Sequence, residues 1–168
     1  MTTTTAETSV TTQVHRVYIK ATPEAIWDAI TKPEWTERYG YGGRVAYELK
    51  VDGQFSHKAS AEMKSFGLPE EIIIGKVIES DAPRKLVQTW HPLFDAASTA
   101  EPHTRLTYEI KENNGGVCTL TITHDVTGAP IVAGMVPGGG DPAQGGGGWP
   151  WILSDLKSLL ETGKRMSA

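Results

Sequence analysis

Histidines and carboxylates are the residues of this sequence whose types could support chemistry. The candidates are His57, His91, His103, His124, Glu62, Glu70 and Glu71. No two histidines stand at the spacing of a metal-binding helix, and neither H-E-x-x-H nor C-x-x-C occurs. No serine stands in a G-x-S-x-G setting. The sequence therefore predicts no metal and no cofactor.

General acid–base catalysis needs only one histidine or carboxyl poised in a dry pocket. His57 is the best catalytic candidate because alternation along its strand places it on the same face as Phe55. A histidine in a pocket wall or on the surface is the more common outcome for such a pattern. The sequence thus favours a protein that is not an enzyme. If the protein is an enzyme, His57 is the candidate acid or base.

The composition excludes several classes of protein. The chain has 168 residues and a formal net charge of -4, with 16 Lys+Arg scattered along it, which is unlike a nucleic-acid binder. Met1 to Gln13 lacks the basic and apolar regions of a signal peptide, and no apolar run is long enough to span a membrane. We expect a cytoplasmic protein. Its one cysteine, Cys118, is predicted to be a buried structural thiol.

The order of predicted elements is one strand, two short helices, six strands and one helix. Thr22 and Pro23 favour the start of the first helix, and Thr31 to Glu34 has the form of a capping box for the second, near 33–39. Asp52-Gly53 is typical of a hairpin turn. The predicted strands are 14–20, 44–51, 54–61, 72–80, 85–91, 103–112 and 117–125.

The last helix, predicted at 149–164, carries the strongest helical pattern in the chain. Its apolar stripe is formed by Trp149, Ile152, Leu153, Leu156, Leu159 and Leu160, whereas Asp155, Lys157 and Glu161 are predicted on other faces. The preceding glycine-rich segment, 138–148, is predicted to be a mobile loop. It is not a phosphate-binding loop, because Trp149-Pro150-Trp151 follows it where Lys and Ser/Thr would be needed.

Five stretches of the chain, in this order, resemble a known family. They are Ala21 to Glu34 (ATPEAIWDAITKPE), Val51 to Phe55 (VDGQF), Gly75 to Glu79 (GKVIE), Pro83 to Trp90 (PRKLVQTW) and Gly147 to Trp149 (GGW). The sequence between about Val14 and Lys164 is similar to the START-like SRPBCC superfamily, in the branch named for the activator of the 90-kDa heat-shock protein ATPase. The resemblance implies an α+β helix-grip fold: a curved antiparallel sheet of about six to seven strands around a long C-terminal helix, with two short helices after the first strand. We therefore expect a disordered tail at 1–13 and one domain at 14–165.

The resemblance also implies a cavity between sheet and helix. The residues predicted to line it and bind a ligand are Trp35, Tyr39, Phe55, His57, Phe66, Trp90 and Met135, with the 138–148 loop as its gate. The expected function is to bind an apolar or aromatic small molecule, as a carrier or sensor. The alternatives are an enzyme of the cyclase or hydrolase type that uses a cavity acid or base, and a co-chaperone that stimulates a heat-shock ATPase. We expect a monomer or a homodimer.

Overall fold

A seven-stranded antiparallel sheet forms the framework of the molecule. The computed structural model describes residues 11–166. The strands are β1 Thr12–Ile19, β2 Arg44–Tyr47, β3 Gln54–Lys58, β4 Glu71–Asp81, β5 Lys85–Pro92, β6 Thr104–Glu112 and β7 Cys118–Asp125. Their order across the sheet is β1-β7-β6-β5-β4-β3-β2. Each strand from β2 to β7 pairs with its neighbours in the chain, and β1 closes the other edge against β7.

Six α-helices and two short 3₁₀ helices accompany the sheet within residues 11–166. The α-helices are α1 Pro23–Thr31, α2 Pro33–Thr36, α3 Ala61–Ser65, α4 Ala96–Thr99, α5 Pro130–Met135 and α6 Gly148–Thr162. The prediction of seven strands, two early helices and a final helix is confirmed. The short helices α3, α4 and α5 occupy segments that the sequence predicted as loops. Residues 1–10 of the predicted tail lie outside the described residues, whereas Thr12 and Gln13 belong to β1.

The start of α1 follows its sequence signals, and the start of α2 does not. The side chain of Thr22 caps α1 by accepting a hydrogen bond from the amide of Ala25 at 3.1 Å. The hydroxyl of Thr31 was predicted to cap α2, but it donates instead to the carbonyl of Trp27 at 2.8 Å. Thr31 is therefore the last residue of α1, and Lys32 takes the N-cap position of α2 without a side-chain hydrogen bond.

Helix α6 packs against β1 and α1 through one apolar face. Trp149, Leu153, Leu156 and Leu159 are buried on it. Asp155, which the helical pattern places away from this apolar stripe, is nevertheless fully buried. Its carboxylate accepts hydrogen bonds from the amide of Gly40 at 2.8 Å and from the amide of Met166 at 2.7 Å. These two bonds compensate the carboxylate for the loss of water and join α6 to both the α2–β2 connection and the chain after α6.

The glycine-rich segment before α6 has a compact, internally bonded fold. The amide of Gly140 donates to the carbonyl of Gly146 at 3.0 Å, and the amide of Trp149 donates to the carbonyl of Val136 at 2.9 Å. Two glycines permit this close approach of backbone to backbone. A Cβ at Gly138 would lie 2.2 Å from the carbonyl oxygen of Gly147, and one at Gly148 would lie 2.4 Å from the amide nitrogen of Gly138.

Candidate functional site

The inner face of the sheet, which lies under the helices, carries aromatic and polar side chains close together. The ring of Tyr47 on β2 stacks on Phe55 of β3, with ring centroids 4.6 Å apart. The Tyr47 hydroxyl donates a hydrogen bond of 2.5 Å to Oε1 of Gln88 on β5. Gln88 is fully buried, so its amide oxygen needs this donor. A polar contact thus spans four neighbouring strands beneath the helices.

Three tyrosine hydroxyls share this region. Burial raises the pKa of Tyr39, Tyr47 and Tyr108 above the ordinary value for tyrosine. The charge that Tyr108 would acquire on ionisation raises the pKa of both Tyr39 and Tyr47 further, which places the three hydroxyls within electrostatic range of one another. All three side chains therefore remain protonated near neutral pH.

Two of these tyrosines, Tyr47 and Tyr108, keep surface that is accessible to solvent. Tyr47 and Tyr108 pack against the buried cluster yet remain only half-buried. The hydroxyl of Tyr108 has no hydrogen-bond partner among the described residues, and it is not sealed from solvent. Its ring meets the indole of Trp149 on α6 edge to face, with centroids 6.2 Å apart. Tyr47 and Tyr108 thus keep solvent-accessible surface although both pack against the buried cluster.

His57, the candidate acid or base, lies on β3 with its ring pressed against the backbone of Gly43. A Cβ at Gly43 would lie 2.2 Å from Nε2 of His57, so glycine is required at that position. The Nε2 atom is buried and has no hydrogen-bond partner in the described structure. Burial lowers the pKa of His57 to about 4, so the imidazole is neutral near pH 7.

His124 on β7 also points inward, and its two ring nitrogens both have partners. The indole Nε1 of Trp149 donates to Nδ1 of His124 at 3.2 Å. Nδ1 is therefore the acceptor, and the ring proton is on Nε2, which donates to the hydroxyl of Thr104 at 2.7 Å. That hydroxyl donates in turn to the carbonyl of Trp90 at 3.0 Å. Burial lowers the pKa of His124 to about 4.

The residues predicted from the sequence to bind a ligand lie in three kinds of place. Tyr39, Phe55 and Trp90 are buried in the core. Trp35 and Met135 are half-buried against it, and His57 is covered by Gly43. Phe66 is 80% exposed, because α3 ends at Ser65 and turns the next side chain away from the core.

Three important residues of the inner face, Tyr47, Gln88 and Tyr108, were not among those predicted. Strand alternation placed Gln88 on one face with Leu86 and Trp90, and the same alternation puts Tyr108 with Leu106 and Ile110. A polar residue in the middle of an apolar strand face was the signal that could have identified Gln88. The register confirms that Leu86 pairs with Tyr108 and Gln88 with Leu106.

Two recesses open to solvent at the β2–β4 side of the sheet. One, of about 540 Å³, is bordered by Arg44, Lys58 and Lys64 together with Glu37 and Glu70. Its charges are largely paired, since Arg44 contacts Glu37 and Nζ of Lys64 lies 2.7 Å from Glu70. The other, of about 480 Å³, lies along β2, β3 and β4; Tyr47 and Phe55 line it in part, and His103 borders it.

His103, at the edge of the second recess, stacks on His91. The ring centroids are 4.2 Å apart and the planes are within 3° of parallel. Nδ1 of His91 is buried without a hydrogen-bond partner in residues 11–166. Parallel rings do not direct their nitrogen lone pairs to one point, and the described residues contain no group of three potential ligands that could hold a metal ion.

The sheet order, the two helices after β1 and the long final helix define a helix-grip domain of the START-like SRPBCC class. The chain belongs to the family described as Activator of Hsp90 ATPase homolog 1-like protein, whose model matches residues 20–161. The resemblance noted in the sequence is thereby confirmed. A search of curated proteins gave no match to the chain. None of the helices in residues 11–166 has the length and apolar character needed to cross a bilayer.

Solved structures share the fold at low sequence identity. DynU16, a protein of the dynemicin biosynthetic locus, has a TM-score of 0.64 and 19% identity; the match covers 92% of this chain and 49% of that one. This chain thus spans about half the length of DynU16. An HSP90 activator from Plasmodium falciparum has a TM-score of 0.52 and 20% identity over 90% of this chain and 88% of its own. The Aha1 dimer from Colwellia psychrerythraea has a TM-score of 0.60 and 16% identity over 91% and 98%.

Proposed function

We propose that this domain binds a small apolar or aromatic molecule between α6 and the inner face of the sheet. The observation that carries the proposal is the accessible surface kept by Tyr47 and Tyr108 at a depth where burial raises the pKa of both. Rings surround that space: Phe55 stacks on Tyr47, and Trp149 meets Tyr108 edge to face. Small-molecule sites commonly combine such aromatic walls with a few polar groups.

The position of His57 gives less support to an enzyme. A general acid or base must come within hydrogen-bond reach of the proton that it transfers. Nε2 of His57 is covered by Gly43 and is buried without a partner. The geometry therefore agrees better with His57 as part of the wall of the binding space than with His57 as a catalytic acid or base.

The proposal can be tested with N-phenyl-1-naphthylamine, an uncharged aromatic probe whose fluorescence increases in apolar surroundings. We expect saturable binding by the wild-type protein. Tyr108→Ala should weaken it severalfold, because this substitution removes a ring from the wall of the space. Phe66→Ala is the matched control: Phe66 is 80% exposed, so its loss should leave the affinity unchanged. Absence of saturable binding, or equal effects of the two substitutions, would contradict the proposal.

A further inference from the structure

The hydroxyls of Tyr39, Tyr47 and Tyr108 on the inner face differ in whether they donate a hydrogen bond within the protein. The hydroxyl of Tyr39 donates to the carbonyl of Ala29 at 2.8 Å. The hydroxyl of Tyr47 donates to Oε1 of Gln88 at 2.5 Å. The hydroxyl of Tyr108 has no partner among the described residues and keeps accessible surface. Tyr108 is therefore the one of the three that can donate a hydrogen bond to a bound molecule without breaking an existing one.

A buried donor without a partner is costly, typically by one to a few kcal/mol when water is excluded. Tyr108 lies beside Trp149 and packs against the core, so a ligand that fills the space displaces water from its hydroxyl. A ligand without an acceptor would leave that hydroxyl unpaired. A ligand with an acceptor atom at this point would restore the bond. Tyr108 thus discriminates between ligands of the same shape.

The interior of the protein also disfavours a charged ligand. No lysine or arginine is buried in the described part of the chain. His57 and His124 are neutral near pH 7, since burial lowers the pKa of each to about 4, and burial also lowers the pKa of His15, which lies on the same face on β1. An anionic ligand in this space would lose its hydration without gaining a cation, which is strongly unfavourable.

We infer that the ligand of this domain is an uncharged apolar or aromatic molecule with a carbonyl oxygen, which accepts a hydrogen bond from the Tyr108 hydroxyl. This inference rests on the proposed function, because it requires a ligand in the same space. It adds a chemical class, a neutral ketone, quinone, ester or amide on a hydrophobic frame. It also assigns the specificity-determining contact to one hydroxyl.

The test uses three probes on one ring system: 2-acetylnaphthalene, 2-ethylnaphthalene and 2-naphthoate. Each is titrated against bound N-phenyl-1-naphthylamine, and its affinity is obtained from displacement. For the wild-type protein we expect the ketone to bind about fivefold more tightly than the hydrocarbon, as one hydrogen bond of ordinary strength would give. We expect the carboxylate to bind at least tenfold more weakly than the ketone.

Two Tyr→Phe substitutions locate the effect. Tyr108→Phe should abolish the preference for the ketone: the hydrocarbon should bind more tightly than it binds the wild type, because no hydroxyl is left unpaired, and the ketone should bind no more tightly than the hydrocarbon. Tyr18→Phe makes the same chemical change at a side chain that is 58% exposed on β1, and it should preserve the fivefold difference. Circular dichroism melting curves of both variants verify their folding.

The outcomes separate this inference from the proposed function. Equal affinities of ketone and hydrocarbon for the wild-type protein would overturn the inference while leaving the binding function in place. So would a ketone preference that survives Tyr108→Phe, or a carboxylate that binds as tightly as the ketone. Failure of both neutral probes to displace N-phenyl-1-naphthylamine would overturn the inference too. Failure of N-phenyl-1-naphthylamine itself to bind would overturn the binding function.

Discussion

Two regions of one sheet face handle buried polar groups in opposite ways. Around His124, every side-chain polar atom has a partner: Trp149 donates to one ring nitrogen, and the other donates to Thr104. Around His57 and Tyr108, atoms lack partners: Nε2 of His57 is buried without one in residues 11–166, and the half-buried Tyr108 makes no side-chain hydrogen bond among the described residues. The first region lies on β5, β6 and β7 under the start of α6. The second extends from β6 to β3.

This difference suggests that the first region stabilises the fold and that the second region contacts the ligand. A fully satisfied polar network fixes the positions of its members, whereas an unsatisfied group costs free energy that a ligand can recover. The His124 network joins β7, β6, β5 and α6 through directed hydrogen bonds. The Tyr47–Tyr108 region keeps accessible surface. We therefore expect substitutions in the first region to change mainly stability and those in the second to change mainly ligand affinity.

Acid pH should produce the largest effect, because it protonates both histidines. The folded-state pKa of His57 and of His124 is about 4, below the value of about 6.5 for an unfolded chain. Between these values the unfolded state binds more protons than the folded state, so stability falls as the pH falls from about 6.5 to 4. Each histidine contributes up to about 3 kcal/mol over this range. Urea unfolding at pH 7, 6, 5 and 4.5 measures the free energy of unfolding.

A variant isolates the contribution of His57 to this pH dependence. His57→Leu keeps His124 on β7 and His15 on β1, whose pKa is also lowered by burial, as histidines that titrate on the inner face. Its loss of stability between pH 6.5 and 4 should therefore be smaller than that of the wild type by the contribution of His57. A wild-type free energy of unfolding that stays constant between pH 7 and 5 would show that neither histidine is held neutral by burial.

Replacing each histidine by leucine at pH 7 compares the two regions directly. His124→Leu leaves the indole N–H of Trp149 buried without an acceptor, so we expect a loss of about 2–3 kcal/mol in the free energy of unfolding. His57→Leu removes a ring nitrogen that already lacks a partner, so we expect a change within about 1 kcal/mol. Urea denaturation with unchanged m-values would measure both. Equal losses for the two variants would refute the distinction drawn between the regions.

The fold followed from local signals in the sequence, and the main exceptions came from distant contacts. Strand alternation, the Asp52-Gly53 turn and the apolar stripe of α6 are each set by residues close in the chain. The burial of Asp155 was not predicted because its partners, the amides of Gly40 and Met166, lie beyond the helix. A helical period cannot show that a backbone donor 115 residues away will cover a carboxylate.

The site was harder to predict than the fold for a related reason. Residue type singled out aromatic side chains, and Phe66 met that criterion, yet it lies on the solvent side of the chain after α3. Tyr108 and Gln88 follow the same alternation as their apolar neighbours, but their importance depends on which hydroxyl has a partner. Hydrogen-bond partners across a sheet depend on register and curvature, which one strand's sequence does not contain.

The smallest expected effect comes from Trp149→Phe, which removes one donor from the His124 network and keeps a ring. The Nε1–H of Trp149 donates to Nδ1 of His124 and so favours the neutral imidazole. Its loss should reduce the free energy of unfolding by about 1 kcal/mol. It should also raise the pKa of His124 from about 4, which NMR titration of the His124 ring protons can follow.

The matched control is Trp151→Phe, two residues further along α6. The indole of Trp151 is half-buried, and its substitution removes the same chemical group without touching His124. We expect the pKa of His124 to stay low in this variant. If Trp149→Phe also leaves that pKa unchanged, the indole bond does not hold His124 neutral, and burial alone accounts for the low pKa. The hydrogen bond to Trp149 would then not explain the low pKa of His124. Any difference in stability between His124→Leu and His57→Leu would have to come from packing.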